Sequence, residues 1–197
     1  MPRNSALKVV PFEQLSSLVI ALEENKNLSF VTTNGCFDII TPGHISLLQE
    51  AKRKGDVLIV GINSDASIRR LKGPTRPVMN EGERLLMLSA LECVDFVTVI
   101  DSEDIMKSLI EAVDPDFHVM GADHEGKRKD RSFIKKMDVD MIFLDVLPDL
   151  SMSDIVRRIK NMDDDGKTRS PARDSSCPHC GGEIKIEVSL RGGQHAK

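Results

Sequence analysis

The sequence predicts a doubly wound α/β fold, a parallel sheet of about five strands with helices on both faces and a short C-terminal tail. Three observations predict it. Short apolar, β-branched runs alternate with amphipathic helical patterns from residue 11 to about residue 160, as successive strand–helix units require. The first clear strand runs directly into a Gly/Pro loop and a helix start, the place where such sheets hold their ligands. The composition is globular, 40% hydrophobic and 29% charged, and the core must be aliphatic because the chain has neither Trp nor Tyr.

Taken in order, Phe12, Leu15, Val19 and Leu22 recur at helical spacing over residues 11–25, with Pro11 suited to a first turn. Leu28–Thr33 is a buried strand. Residues 34–43 form a loop with two glycines and a proline, and a helix starts near His44, with Leu47, Leu48 and Ala51 on one face. Val57–Ile62 is a strand and Ser64–Leu71 a short helix. Asn80–Leu91 is a helix and Phe96–Ile100 a strand. Ser102–Val113 is a helix with Ser102 as its N-cap. Phe117–Met120 and Met141–Val146 are strands, and Ser151–Lys160 is the last helix.

This organisation predicts one domain over residues 1–161. A polar, Gly- and Pro-containing linker follows over 162–176, and a tail over 177–197. The tail carries Cys177-Pro178-His179-Cys180, one C-x-x-C pair where a full zinc ribbon needs two. Two readings stay open there. Cys177 and Cys180 hold Zn2+ with ligands added from His179, His195 or a second chain, or they are free thiols. Cys36 and Cys93 stand alone in apolar segments and read as reduced small hydrophobes. A net charge of −4 argues against bulk nucleic-acid binding. No apolar run reaches the roughly 18 residues that span a bilayer, and the N-terminus lacks a long apolar signal region, so a cytoplasmic protein without a membrane partner is expected.

The chemistry concentrates in residues 31–51. A helix start offers free N–H groups and partial positive charge, which suit phosphate. Glycines let backbone approach a ligand closely, and His44 adds a donor. A strand–helix turn with a capping histidine would be the plain structural reading of the same residues. The spacing decides: Gly35-Cys36-Phe37-Asp38 followed by Thr41-Pro42-Gly43-His44 resembles the G-x-F-D-x-x-[HT]-x-G-H signature of the nucleotidyltransferase superfamily. That superfamily includes cytidylyltransferases for glycerol phosphate and choline phosphate, phosphopantetheine adenylyltransferase and heptose-1-phosphate adenylyltransferases. Thr41 stands where the first histidine is usual. Residues 71–78, LKGPTRPV, resemble the LKG-x-x-RPV segment of the heptose-1-phosphate enzymes. Residues 119–127, VMGADHEGK, are similar to a glycerol-phosphate cytidylyltransferase segment, with Met120 where heptose enzymes have Lys. Ser151-Met152-Ser153 stands at the position of the family's I-S-T-[TS] motif.

The resemblance implies a Rossmann-like sheet and transfer of a nucleoside monophosphate from ATP or CTP to a sugar or polyol phosphate. Mg2+ would travel with the triphosphate, and the enzyme would be a homodimer. It implies that His44 and Lys72 carry catalysis. Gly35, Cys36, Phe37, Thr41, Gly43, His44, Gly121, Asp123, Ser151 and Ser153 would bind the nucleotide. Asp38, Asn63, Asp65, Lys72 and Arg76 would bind the acceptor. An adenylyltransferase acting on a sugar phosphate such as D-glycero-D-manno-heptose 1-phosphate is expected first. The alternatives are a cytidylyltransferase for glycerol 3-phosphate or a related polyol phosphate, and a catalytically impaired nucleotide-binding protein.

Overall fold

Alternation along the central strand sets the layering. In β1 (Phe30–Gly35), Phe30 and Val31 point to opposite sides. β2 (Val57–Asn63) repeats the pattern: Leu58, Val60 and Ile62 enter one core, Val57 and Ile59 the other. The first core is closed by Leu48 and Ala51 of α2 (Pro42–Lys52) and Leu88 of α4 (Glu81–Ser89). The second is closed by Leu15 and Val19 of α1 (Leu15–Glu23) and Leu109 and Val113 of α5 (Ile105–Val113). α3 (Asp65–Lys72) follows β2 and buries Ile68. These features come from a computed structural model that describes residues 5–24, 27–122, 139–145 and 155.

With β3 (Phe96–Ile100), β4 (Phe117–Gly121) and β5 (Asp140–Leu144), the strands form one parallel sheet in the order β3-β2-β1-β4-β5. The predicted fold class is therefore observed, with β1 in the middle. The chain builds outward through β2 and β3, then returns to the other side of β1 for β4. The topological switch, where such sheets bind ligands, lies between β1 and β4. Pairing there is brief. β1 and β2 stay in register from Phe30↔Val57 to Gly35↔Ile62, and β4 and β5 from Phe117↔Asp140 to Gly121↔Leu144. Between β1 and β4 only Val31↔Phe117 and Thr32↔His118 pair, and the C-terminal halves of the two strands diverge.

Several predicted boundaries shift by one to a few residues, and two of the shifts have a plain cause. β1 runs through Gly35, two residues past the expected end, because Asn34 and Gly35 stay paired to Gly61 and Ile62. The cap of α5 is Asp104, whose side chain accepts from Lys107 N–H at 3.1 Å; the expected cap, Ser102, instead accepts from Asp104 N–H at 3.2 Å. Cys36 and Cys93 are free thiols, as expected. Among the described residues no helix is long and apolar enough to cross a membrane. The predicted helix over 151–160 lies outside the described residues apart from Ile155, and so do the linker and the tail with Cys177 and Cys180.

Candidate active site

The start of α2 faces the end of β1, and its first turn is built by two side chains. Thr41 is the N-cap: its Oγ1 accepts from His44 N–H at 3.4 Å, while Thr41 N–H donates to His44 Nδ1 at 3.1 Å. This is a capping box in which His44 fills the place usually taken by Glu or Gln. The bond fixes the tautomer. Because Nδ1 accepts from a backbone N–H, the ring proton sits on Nε2, and His44 presents an Nε2–H donor. Burial, and then the nearby Lys72 ammonium, hold the His44 pKa below its ordinary 6.5, while the Ile39 carbonyl pulls the other way. His44 is thus a neutral donor at neutral pH, and the positive charge beside it belongs to Lys72.

Phe37 shapes the loop before α2. Its backbone lies in the left-handed region at φ 46°, and its buried ring packs against the His44 ring, centroids 5.2 Å apart. Gly35 makes room for it: a methyl group there would come within 3.1 Å of Phe37 Cε2. A bulky residue in this backbone region is a strained feature of the kind that clusters at functional sites. Gly43 is buried in the first turn of α2, and Gly121 is buried at the end of β4.

Asp38 is buried and spent inside the protein. Its Oδ2 accepts from Arg76 Nη1 at 2.6 Å, and its Oδ1 from Val78 N–H at 2.6 Å and Met79 N–H at 3.1 Å. The Asp38–Arg76 pair, expected at the acceptor, therefore ties residues 76–79 to the loop in front of α2. Upstream in the same segment, Lys72 ends α3, and Gly73 at φ 94° lets the chain turn away. Lys72 is exposed, and among the described residues its side chain makes no hydrogen bond or ion pair, so it can turn to a ligand.

Asn63 and Asp65, the other two residues expected at the acceptor, are also engaged. Buried Asn63 donates from Nδ2 to Ser67 Oγ at 3.0 Å, and its Oδ1 accepts from Cys36 Sγ at 3.6 Å. Asp65 Oδ1 accepts from Arg84 Nη2 at 2.8 Å. Arg84 is the residue that the sequence reading passed over. It is 0% exposed, and its guanidinium reaches three loops: Cys36 O at 2.7 Å after β1, Asp65 after β2, and Met79 O at 3.1 Å before α4. A buried guanidinium is tolerable only with such a full set of acceptors. Asp123, Ser151 and Ser153 lie outside the described residues.

The loops after β1 and β2 and the segment before α4 thus meet at one end of the sheet, with His44, Lys72, Gly43 and Gly121 around the switch point. A cavity of about 670 Å3 opens on the far side of Asp65, lined by Glu13, Ser64, Arg69, Glu81 and Asp101 among others; neither His44 nor Gly121 lines it. Among the described residues no group of three or more His, Cys, Asp or Glu is placed to hold a metal ion. The site carboxylates of Asp38 and Asp65 are committed to arginines. The donor set fits a magnesium ion that arrives on a triphosphate with mostly water and phosphate ligands, not one held by a protein cage.

A neutral histidine donor at a helix start, the Gly43 N–H beside it and an exposed lysine suit a polyphosphate. The chain belongs to the cytidylyltransferase-like family, whose pattern matches residues 32–158, and by that membership it is a nucleotidyltransferase. Among its relatives, the bifunctional protein HldE of Syntrophotalea carbinolica is 42% identical over 146 residues, which cover 72% of this chain and 29% of that protein. The bifunctional protein HldE of Helicobacter pylori strain G27 is 49% identical over 120 residues, 61% of this chain and 25% of that one. The chain spans about a quarter to a third of the length of these curated relatives. A lipopolysaccharide core biosynthesis protein from Thermoplasma volcanium, solved as a crystal structure, aligns with a TM-score of 0.51 at 32% identity, covering 61% of this chain and 98% of that one. Pantoate-beta-alanine ligase from Francisella tularensis shares the fold, with a TM-score of 0.56 at 17% identity over 79% of this chain and 73% of that one.

Proposed function

We propose that the domain transfers AMP from ATP to a sugar phosphate such as D-glycero-D-manno-heptose 1-phosphate and releases pyrophosphate. The observation that carries the reading is the 71–79 segment. It bears the LKGPTRPV pattern of heptose-1-phosphate adenylyltransferases, it is tied to the signature loop through Asp38, and its Lys72 acts electrostatically on His44. The relatedness to bifunctional HldE proteins supports the same acceptor class.

In this mechanism a phosphate oxygen of the acceptor attacks the α-phosphorus in line. The bond from that phosphorus to the bridging oxygen breaks, and pyrophosphate leaves with the bond pair. The nucleophile is already an anion, so the site needs no strong general base; catalysis is positioning and charge neutralisation. His44 Nε2–H and the Gly43 N–H receive charge on the α-phosphate, and Lys72 closes over the phosphates. Arg76, held by Asp38, fixes the segment that carries Lys72. Ser151 and Ser153 are assigned to the leaving β,γ-phosphates by motif alone. The enzyme is taken to act as a homodimer, and exposed Leu7, Leu86 and Met87 provide apolar surface for pairing.

A pyrophosphate-release screen of ATP, CTP, GTP and UTP against heptose 1-phosphate, glycerol 3-phosphate and related acceptors tests the reading. ATP with heptose 1-phosphate should be the most active pair. Fastest turnover of CTP with glycerol phosphate would install the cytidylyltransferase reading that the 119–127 segment suggests. Nucleotide binding without turnover on any acceptor would mark an impaired enzyme.

A further inference from the structure

The cleft between the diverging halves of β1 and β4 is crossed by a chain of side chains that the mechanism above leaves unused. Thr32 and His118, a cross-strand pair, are both 0% exposed, and Thr32 Oγ1 lies 2.8 Å from His118 Nδ1. His118 Nε2 lies 3.1 Å from Oδ1 of Asn34, which is half-buried one residue before the end of the ladder with β2. The tautomer of His118 sets the direction of each bond. Asn34 Oδ1 only accepts, so His118 donates to it from Nε2; in the neutral ring Nδ1 then accepts, and Thr32 O–H donates to it. The chain runs Thr32 to His118 to Asn34, and each bond orients the next group.

Its last member is half-buried and has its donors spare. Asn34 Oδ1 is taken by His118, while its Nδ2 amine has no partner among the described residues. The place is specific. Asn34 sits at the β1 end on the β4 side, beyond the last β1–β4 pair, while the phosphate-binding turn of α2 follows β1 and Lys72 comes from the β2 side. A nucleotide with its phosphates at α2 has the β4 side left for its nucleoside, where Asn34 waits.

We infer that Asn34 is a nucleoside-contacting residue, a hydrogen-bond donor to an acceptor on the base or ribose, and that His118 is the positioning residue that holds its carboxamide with the amine outward. The inference rests on the nucleotidyltransferase reading of the site. Without His118 the Asn34 amide is free to flip and offers a carbonyl where the nucleoside needs a donor. Buried polar chains of this kind specify one orientation when every member is satisfied.

The test uses the full chain and direct binding of ATP, CTP, GTP and UTP by calorimetry, without any acceptor, alongside turnover. Asn34→Ala and His118→Leu should each weaken binding of the preferred nucleotide by about three- to tenfold, the weight of one hydrogen bond. Both should flatten the preference among bases or sugars, with the acceptor KM within about twofold of wild type by the same reasoning. His118→Gln, which keeps a donor, should recover part of the loss. Because a buried histidine variant can misfold, melting temperature is followed in parallel, and Thr32→Val with His118→Leu supplies an apolar-paired version of the same site. In the wild type, nitrogen NMR of the imidazole should report a protonated Nε2 and a bare Nδ1. Folded Asn34→Ala and His118→Leu proteins with unchanged nucleotide affinity and preference would overturn the inference, as would a protonated Nδ1 with a bare Nε2. Wild type that binds none of the four nucleotides would overturn it together with the proposed function. Wild type that binds ATP through Asn34 but transfers nothing to heptose 1-phosphate would overturn the proposed acceptor alone.

Discussion

The two sides of β1 are built on opposite principles. Toward β2 the ladder is complete, and the loops beyond it are locked by two carboxylate–arginine pairs, Asp38–Arg76 and Asp65–Arg84. Toward β4 the ladder stops after two pairs, and what spans the gap is a string of side-chain hydrogen bonds ending in an amine with no partner among the described residues. The locked side sets geometry and the open side leaves polar groups for a ligand. The acidic residues after β1 and β2 hold the frame through these pairs, and in the proposed mechanism contact with phosphate falls to His44, Lys72 and the Gly43 N–H.

The largest expected effect breaks the locked side. Arg84→Met removes a fully buried guanidinium and strands Asp65, Cys36 O and Met79 O. Breaking a buried pair in this way should cost about 3–5 kcal/mol, read as a lower denaturant midpoint with the denaturant dependence unchanged. A change below the error of the melt would show that the loops are held by packing alone. Adding Asp65→Leu to Arg84→Met should return part of the loss, because no unpaired charge remains.

Next comes the turn where the two sides meet. His44→Ala should lower turnover by roughly a hundred- to a thousandfold, equivalent to about 2.7–4 kcal/mol of barrier, for one lost preorganised donor. Its stability cost should be about 1 kcal/mol, the value of a cap interaction. A variant that turns over normally on a substrate the wild type uses would remove His44 from catalysis. The depressed pKa gives a second reading of the same residue. The folded protein favours neutral His44, so the unfolded chain binds more protons as pH falls. The contribution is therefore complete above the unfolded value of 6.5 and is lost as pH drops from there through the lower folded value. His44→Ala should lose that segment of the stability–pH curve; identical curves for the two proteins would refute the assignment.

Asp38→Asn tests whether the frame acts on the ligand through the 72–79 segment. It leaves Arg76 without its counter-charge and weakens two backbone bonds. The expected result is a raised acceptor KM with nucleotide affinity nearly kept, since the α2 turn is intact. Equal loss of both affinities would place Asp38 at the phosphates directly.

Much of this frame was legible in the sequence. β3 was placed to the residue because Phe96–Ile100 is a short apolar run bounded by polar residues. The signature loop, the LKGPTRPV segment and the central place of the first strand also followed from pattern and spacing. Arg84 was missed although its signal was present: it lies four residues before Leu88 and seven before Leu91, on the apolar stripe of its own helix. A charge on such a stripe announces a buried partner, but Cys36, Asp65 and Met79 come from three separate loops, and no local pattern names them. The internal partners of Asp38, Asn63 and Asp65 were hidden for the same reason, since they are distant in the chain. His118 looked like an ordinary strand residue, because the divergence of β1 from β4 is a property of the sheet.

The smallest expected effect lies in the core beneath both sides. Thr98, on β3, is 0% exposed, and its Oγ1 has no hydrogen-bond partner among the described residues. It shares a face of the strand with Phe96 and Ile100, which pack in the α1/α5 core, so its side chain enters an apolar layer. An unmet buried hydroxyl carries its desolvation penalty without return, about 1–3 kcal/mol by mutational measure. Thr98→Val keeps the branched shape and the strand preference and removes the oxygen. Its gain should be smaller than the full penalty, about 0.5–1 kcal/mol, because the methyl must still be packed where the oxygen fitted. Turnover and nucleotide affinity should stay at the wild-type level, since β3 lies two strands from the β1–β4 cleft. A melting temperature that falls in Thr98→Val would mean that the hydroxyl meets a partner in solution, such as a buried water. The α1/α5 layer would then be a polar extension of the framework and not the dry support it is here.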